Sequence, residues 1–237
     1  MPGWSSPGWM PSLAGMAVWD ELSLTLARLL TEQPGALRGY PDPSRSEAGT
    51  PPYPISLAAW AEGVAGELNR RFGDDVDLTV GALPYPPGRP PRRARPGRPG
   101  EPADPLDPRE AEAELDGPAV VRSGHTLRHR LLGRNHTGDE LVIATNGQVT
   151  ASVVDPESGE VVGGFAGFQT LPLVTFRAAA GQTVPIPLLI GTASHTDRLG
   201  YAVPPGTWGL QATLKLATGT VTYVRRRTPV LPLTITA

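Results

Sequence analysis

The chain has 237 residues, 39% of them hydrophobic and 19% charged, enough to build one large domain or two small ones around a sizeable core. It carries no Cys, which excludes disulfides and thiolate metal sites, and a formal net charge of −2 with no broad basic surface, which argues against nucleic-acid binding. The 28 Pro and 28 Gly exclude an all-helical protein and suit a turn-rich β domain with a disordered linker.

There are 20 Arg and one Lys, Lys215, with only three Asn, a bias expected of a GC-rich bacterial genome. Charge is uneven along the chain. Residues 1–83 carry 10 acidic and 5 basic side chains, residues 84–109 carry 3 and 6, and residues 110–237 carry 10 of each. No apolar run is long enough to cross a membrane, and cytoplasmic residence is expected.

Residues 1–17 are Trp-, Pro- and Gly-rich and lack the pattern of a secretory signal. They are expected to be a disordered tail or an over-extended start, with Met10 or Met16 as the first residue. Trp19, Leu22, Leu26, Leu29 and Leu30 then repeat at helical spacing and predict a helix over 18–31. Gln33-Pro34-Gly35 stops it, and the Pro-rich stretch to residue 54 reads as loop. A second helix is expected over 56–72, with Ser56 as its cap and Trp60, Val64, Leu68 and Phe72 as its stripe. Gly73 ends it. Val76, Leu78 and Val80 alternate with Asp77 and Thr79, the period of a half-buried strand. Residues 18–83 therefore form an α-α-β unit, too small to be stable alone and expected to dock on its neighbour.

Ten of the 26 residues over 84–109 are Pro, interspersed with Arg and Gly, and predict an extended linker or docking peptide. Residues 110–237 form the main domain. Short apolar strands are cut by Asn146-Gly147, by 155–159, by Ala180-Gly181-Gln182 and by 203–206. The strands are expected over 113–121, 127–135, 140–145, 148–154, 160–165, 174–178, 183–189 and 207–216, with room for two more over 221–235. No helix separates them, so the fold class is mainly β, an immunoglobulin-like antiparallel β-sandwich with the α-α-β unit as an extension.

Catalytic motifs are weak. His125 and His129 lie four apart on a strand, about 13 Å at 3.3 Å per residue, too far to share a metal. Ser194, His195 and Asp197 are the residue types of a hydrolase triad, but triads are assembled from separate loops, and no Gly-x-Ser-x-Gly elbow occurs. There is no P-loop, and Gly163-Gly164-Phe165-Ala166-Gly167 sits between strands, where a bulge is the default. Asn135-His136-Thr137 is explained by a turn, and Arg225-Arg226-Arg227 by a charged sheet edge. No cofactor is expected.

The run from Leu132 to Asp155 resembles the core of the BsuPI-type intracellular proteinase inhibitors. That pattern has an Asn-x-Thr/Ser turn, here Asn135-His136-Thr137, then an apolar strand. A Ser-Gly-Gln-like turn, here Asn146-Gly147-Gln148, leads into an alternating strand that ends in Asp155. Pro204-Pro205-Gly206-Thr207-Trp208 is similar to the family's Pro-Gly-x-Tyr/Trp strand entry. The likeness spans residues 112–216. The stretches Val149-Thr150-Ala151 and 161–165 depart from the family pattern.

The resemblance implies a non-catalytic protein that binds another protein, a protease among the candidates, through a rigid sandwich loop. The candidate contact residues are Thr145, Asn146, Gly147 and Gln148, with Asn146-Gly147 expected in a type I′ hairpin, and His195 and Asp197 in the 191–201 loop. An interaction or scaffold module whose partner docks on the N-terminal helices or the linker is the alternative. An enzyme of unknown type is the third.

Overall fold

The computed structural model describes residues 13–40, 51–89, 103–167, 169, 172–218 and 222–237, with side chains from residue 17 onward. The first unit opens with α1 (Leu13–Glu32), then β1 (Leu37–Gly39), β2 (Tyr53–Leu57), α2 (Glu62–Phe72), β3 (Val76–Val80) and β4 (Leu83–Tyr85). The four strands make one sheet in the order β1-β2-β3-β4, with β2 and β3 parallel across the α2 crossover.

Two helices and the strand over 76–80 were expected, but β2 replaces the first turns of the second helix. Tyr53, Ile55 and Leu57 are buried in alternation with Pro54 and Ser56. Pro54 cannot donate inside a helix, yet it fits here because β1 pairs only with Ser56 and Leu57, leaving the edge beside Pro54 open among the described residues. Ser56 does not cap a helix. Its hydroxyl accepts a hydrogen bond from Thr79 Oγ1 across the sheet at 3.1 Å.

Both helices lie on one face of this sheet. Leu22, Leu26 and Leu29 of α1 meet Val64, Ala65, Leu68 and Phe72 of α2 over the buried row of β2 and β3. Leu30, read as part of the stripe, is 46% exposed. Ion pairs join the helices at their rim, Arg71 with Glu21 at 2.8 Å and Arg28 with Glu67 at 3.5 Å.

Both described ends of the expected linker are strands. Pro84 lies in the edge strand β4 opposite Thr79, where a missing N–H costs no ladder bond. At the other end β5 (Asp104–Pro105) runs parallel to β16 (Val224–Arg227), and Leu106 enters the core. Residues 90–102 lie outside the described residues.

The sandwich continues through β6 (Ala111–Leu115), β7 (Val120–Arg122), β8 (Thr126–Asn135), β9 (Leu141–Thr145), β10 (Val149–Val154), β11 (Val161–Gly164), β12 (Val174–Ala178), β13 (Thr183–Gly191), β14 (Ala193–Ser194), β15 (Gly206–Thr218), β16 and β17 (Leu231–Thr236). The stretch expected as one strand over 113–121 is two, because Asp116-Gly117-Pro118 turns the chain, with Gly117 at φ +90°.

The 13-residue β15 belongs to both sheets. Its first half pairs with β10 on one edge and β17 on the other; its second half pairs with β9 and β16. One sheet runs β12-β9-β15-β16-β5. The other runs β6-β8-β13-β10-β15-β17-β7, with β11 and β14 beyond β10. Between β16 and β17, Thr228 keeps the ladder closed: its N–H donates to the Ala212 carbonyl and its Oγ1 accepts from the Ala212 N–H at 3.0 Å. The core between the sheets holds Leu131, Ile143, Val153, Ile186, Leu188, Ile190, Leu210 and Leu214.

Leu210, Ala212, Leu214 and Leu216 face that core as their alternation predicts, and Trp208 packs at its edge, half-buried. The Trp208 indole N–H donates to the Pro204 carbonyl at 2.9 Å. Trp208→Ala is expected to cost about 2 kcal/mol, less than the loss for a fully enclosed Trp. Urea unfolding measures it, and a loss near zero would place Trp208 outside the packed region.

The first unit docks on the sandwich. The Trp60 and His125 rings stack 5.6 Å apart at 7°, and Tyr201 enters the core of the first unit beside Tyr85, its hydroxyl 3.4 Å from the Pro84 carbonyl. The strand over 76–80 stays in its own sheet and joins no sandwich edge.

Candidate functional site

The Thr145–Gln148 turn carries the strand from the β15 second half to its first half, since Ala144 pairs with Lys215 and Ala151 with Ala212. The turn is therefore a corner on the path between two sheets, and β9 and β10 do not pair with each other. Gly147 takes φ +98° and no non-glycine residue among the described residues, Asn146 included, takes a positive φ, so Asn146-Gly147 is not the type I′ hairpin expected, which needs both central residues there. The corner is held by side chains. Gly147 N–H donates to Thr145 Oγ1 at 2.9 Å. Asn146 Nδ2 donates to Gln169 Oε1 at 3.0 Å, and Gln169 Nε2 donates to Thr150 Oγ1 at 3.2 Å.

Beside the corner lies a groove of about 280 Å³, lined by Ala144, Thr145, Asn146, Gln148, Val149, Thr150, Leu173, Thr213 and Lys215. Leu173 is 75% exposed. Sequence reasoning found the corner but missed Leu173, Gln169 and Lys215. The one available signal was Lys215, the sole lysine in a chain that otherwise uses Arg.

His195 and Asp197 are not part of this groove. His195 N–H donates to the Val162 carbonyl at 2.9 Å, and its ring lies against Gly164, where an added Cβ would stand 3.3 Å from His195 Cε1. Gly164 is opposite Ser152, five residues along from Gly147 and about 16 Å away at strand rise. Burial against Gly164 holds the His195 imidazole below its ordinary pKa. Asp197 opens a one-turn 3₁₀ helix. Ser194 is fully buried, and its Oγ donates to the Thr196 carbonyl at 2.7 Å and accepts the Thr196 N–H at 3.1 Å. Its hydroxyl proton is committed to that carbonyl, so Ser194, His195 and Asp197 form no triad. The other end of this loop, Tyr201, is seated in the first unit.

His125 and His129 serve separate places: His125 is under Trp60, while His129 sits within 3.3 Å of the Pro118 carbonyl. Burial, then Arg122 and Arg38, lower the His125 pKa. Burial, with Glu62 next in size, pushes the Tyr201 phenol up to about 12, so it is a neutral donor throughout the ordinary pH range. Asp155 Oδ1 accepts the N–H groups of Ser158 and Glu157, which lowers its pKa and shapes the 155–159 turn. A larger open groove, about 610 Å³, runs along Leu106, Ala111, Ala113 and Val230, with His136, Glu112 and Arg227 at its rim.

No family model matches the chain, and no curated protein matches it. Among solved structures it is similar to the CooA pilin subunit from enterotoxigenic Escherichia coli, at 9% identity and TM-score 0.27, over 54% of this chain and 99% of that one. It is similar to a PapD-like domain of human CEP192 at 11% identity and TM-score 0.26, over 55% of this chain and 89% of that one. Spo0M, a sporulation control protein from Bacillus subtilis, matches at 9% identity and TM-score 0.22, over 54% of this chain and 49% of that one. Likenesses this faint carry nothing about function. The sheets described above make the chain a mainly β, immunoglobulin-like sandwich. No described helix is long and apolar enough to cross a membrane.

Proposed function

We propose that the chain is a non-catalytic, protein-binding β-sandwich of the bacterial cytoplasm, and that its partner meets the Thr145–Gln148 corner. The observation that carries this reading is the corner itself: three side-chain hydrogen bonds brace it beside an open groove. A braced loop loses little conformational entropy when it enters a cleft. The resemblance to the BsuPI-type intracellular proteinase inhibitors makes a protease the first partner to test.

Gly147→Val separates binding from folding. An added Cβ at Gly147 meets only Val174 Cγ2, at 3.8 Å, so at that atom the substitution brings backbone strain and no overlap. The positive φ costs about 1–2 kcal/mol of stability. Inhibition of bacterial intracellular proteases by the wild-type chain is expected to weaken at least tenfold in the variant, which remains folded at the assay temperature. Losses of inhibition no larger than the stability change, or turnover of a small molecule by the purified chain, would overturn the proposal.

A further inference from the structure

β6 ends its sheet, and among the described residues only β8 pairs with it. The antiparallel ladder fixes which way each backbone group points. The Asp116 N–H donates to the Arg130 carbonyl and the His136 N–H to the Glu110 carbonyl, so Glu110, Glu112, Glu114 and Asp116 turn their N–H and C=O groups toward β8. Ala111, Ala113 and Leu115 turn theirs away from it. Two of those outward groups are taken: the Ala111 N–H donates to the Asp107 carbonyl at 3.0 Å, and the Leu115 carbonyl accepts the Gly117 N–H at 2.9 Å. Both groups of Ala113, the Ala111 carbonyl and the Leu115 N–H have no backbone partner among the described residues. This open edge borders the groove of about 610 Å³, which has buried Leu106 on one side and Val230, 52% exposed, on the other. The side chains of β6 that alternate with its alanines are all acidic. Glu110 is paired with Arg226, Asp116 with Arg130, and Glu112 lies 3.5 Å from His136 and in register with Arg134. Glu114 is in register with Leu132 and has no ion pair among the described residues.

We infer that β6 takes up an extended segment of a protein partner as an additional strand, with apolar side chains at every second position in the groove and basic residues between them. An extended peptide supplies donors and acceptors at the spacing the free groups of Ala111, Ala113 and Leu115 require. Side chains in register share a face of the sheet, so those opposite Ala111 and Ala113 enter the groove. Its volume lies within the roughly 300–1,000 Å³ of binding pockets, and its walls are apolar. The side chains between them stand opposite Glu112 and Glu114, where a cation is favoured and an acid is not. The same rule disfavours a second copy of this chain, because two-fold pairing of β6 about Ala113 sets Glu112 against Glu114 twice. The surface shares no lining residue with the groove at the Thr145–Gln148 corner.

The probe is a seven-residue peptide, blocked at both ends, with Val, Leu and Val at its second, fourth and sixth positions and Arg at its third and fifth. Titrated into the full chain and followed by amide NMR, it should bind with a Kd of about 0.1 mM or tighter and move the signals of Ala113 and Leu115 most. N-methylation of its central Leu removes an edge hydrogen bond and should weaken binding about tenfold. Ala113→Pro removes a free donor that points away from β8, so the ladder stays whole and binding should fall about tenfold. Glu114→Lys should weaken the Arg peptide about two- to fivefold and favour the same peptide with Glu in place of Arg. No binding at about 1 mM peptide, full binding of the N-methylated peptide, or indifference to the charge at position 114 would each overturn the inference. So would self-association that the peptide dissolves, which would give the edge to a second copy. Binding seen only after residues 90–102 are replaced by Gly and Ser would give it to the chain's own segment, with the same consequence. Gly147→Val should bind the peptide as the wild type does, so the corner proposal stands or falls on its own test.

Discussion

Asn135→Ala will destabilise the sandwich by about 3–5 kcal/mol, although it removes only a carboxamide. Asn135 ends β8 and is fully buried. Its Nδ2 donates to the carbonyls of Asp139 at 2.7 Å and Ala178 at 2.9 Å. Its Oδ1 accepts the Thr137 N–H at 2.9 Å and the Thr137 hydroxyl at 2.8 Å. One side chain thus ties the end of β8 to the start of β9 and to β12. Alanine leaves partners on both strands unsatisfied, each at about 1–3 kcal/mol and not fully additive. Asn135→Asp is the sharper variant. A carboxylate cannot donate to two carbonyls, and burial raises its pKa in the folded chain above the ordinary value of about 3.9. A folded-state pKa raised in this way means that stability is fully present below the unfolded pKa and is lost as pH rises through the raised folded-state pKa. Urea unfolding at several pH values checks both variants. A loss below about 1 kcal/mol for alanine, or a pH-independent loss for aspartate, would remove Asn135 from this role.

Gly124→Ala is expected to cost about 2–4 kcal/mol and to loosen the first unit from the sandwich. Gly124 has φ +77°, which costs a residue with a Cβ about 1–2 kcal/mol. The added Cβ would also stand 2.9 Å from the Trp60 backbone nitrogen and 2.9 Å from its Cβ, an overlap that backbone must relieve by moving. The Trp60–His125 stack is the first contact to open. Hydrogen exchange should rise around Trp60 and Tyr201, while Leu131 and Ile186 in the sandwich core stay protected. Uniform protection, with the Trp60 fluorescence unchanged, would show that the dock does not depend on this glycine. Acid should act at the same place. The His125 pKa is lowered in the folded chain, so its contribution is complete above the ordinary value of about 6.5 and is lost as pH falls below it.

The sandwich strands were readable because their period-2 patterns are bounded by Gly, Pro and Asn. The buried positions of β15, Leu210 through Leu216, follow that alternation residue by residue. The β2 strand was hidden because Ser56, Trp60, Val64 and Leu68 also fit a helical period, and only the helix crossover between β2 and β3 decides between the readings. The partial loss of the linker has the same origin. Pro84 and Pro105 read as breakers, yet each lies on a sheet edge where a missing N–H is harmless. At the candidate site, Asn146-Gly147 marked a turn but not its kind. Whether such a dipeptide closes a hairpin or turns a corner depends on where the partner strand lies, and that partner, β15, is some 60 residues downstream. Lys215 was visible only as an oddity of composition, since its position opposite Arg225 arises from strand pairing.

The double membership of β15 also bears on when each part of the protein can fold. Every strand of the five-stranded sheet reaches the rest through β15, and its second edge is filled by residues 224–236. On the ribosome the first unit can close once Tyr85 has emerged, with the parallel β2–β3 pair spanning only some two dozen residues. The sandwich has to wait for almost the whole chain, because pairings this distant in sequence form slowly and late. During that interval the first unit, its core still short of Tyr201, presents Trp60 and Tyr85 to the nascent strands, a surface against which Gly124 and Tyr201 can settle as they arrive.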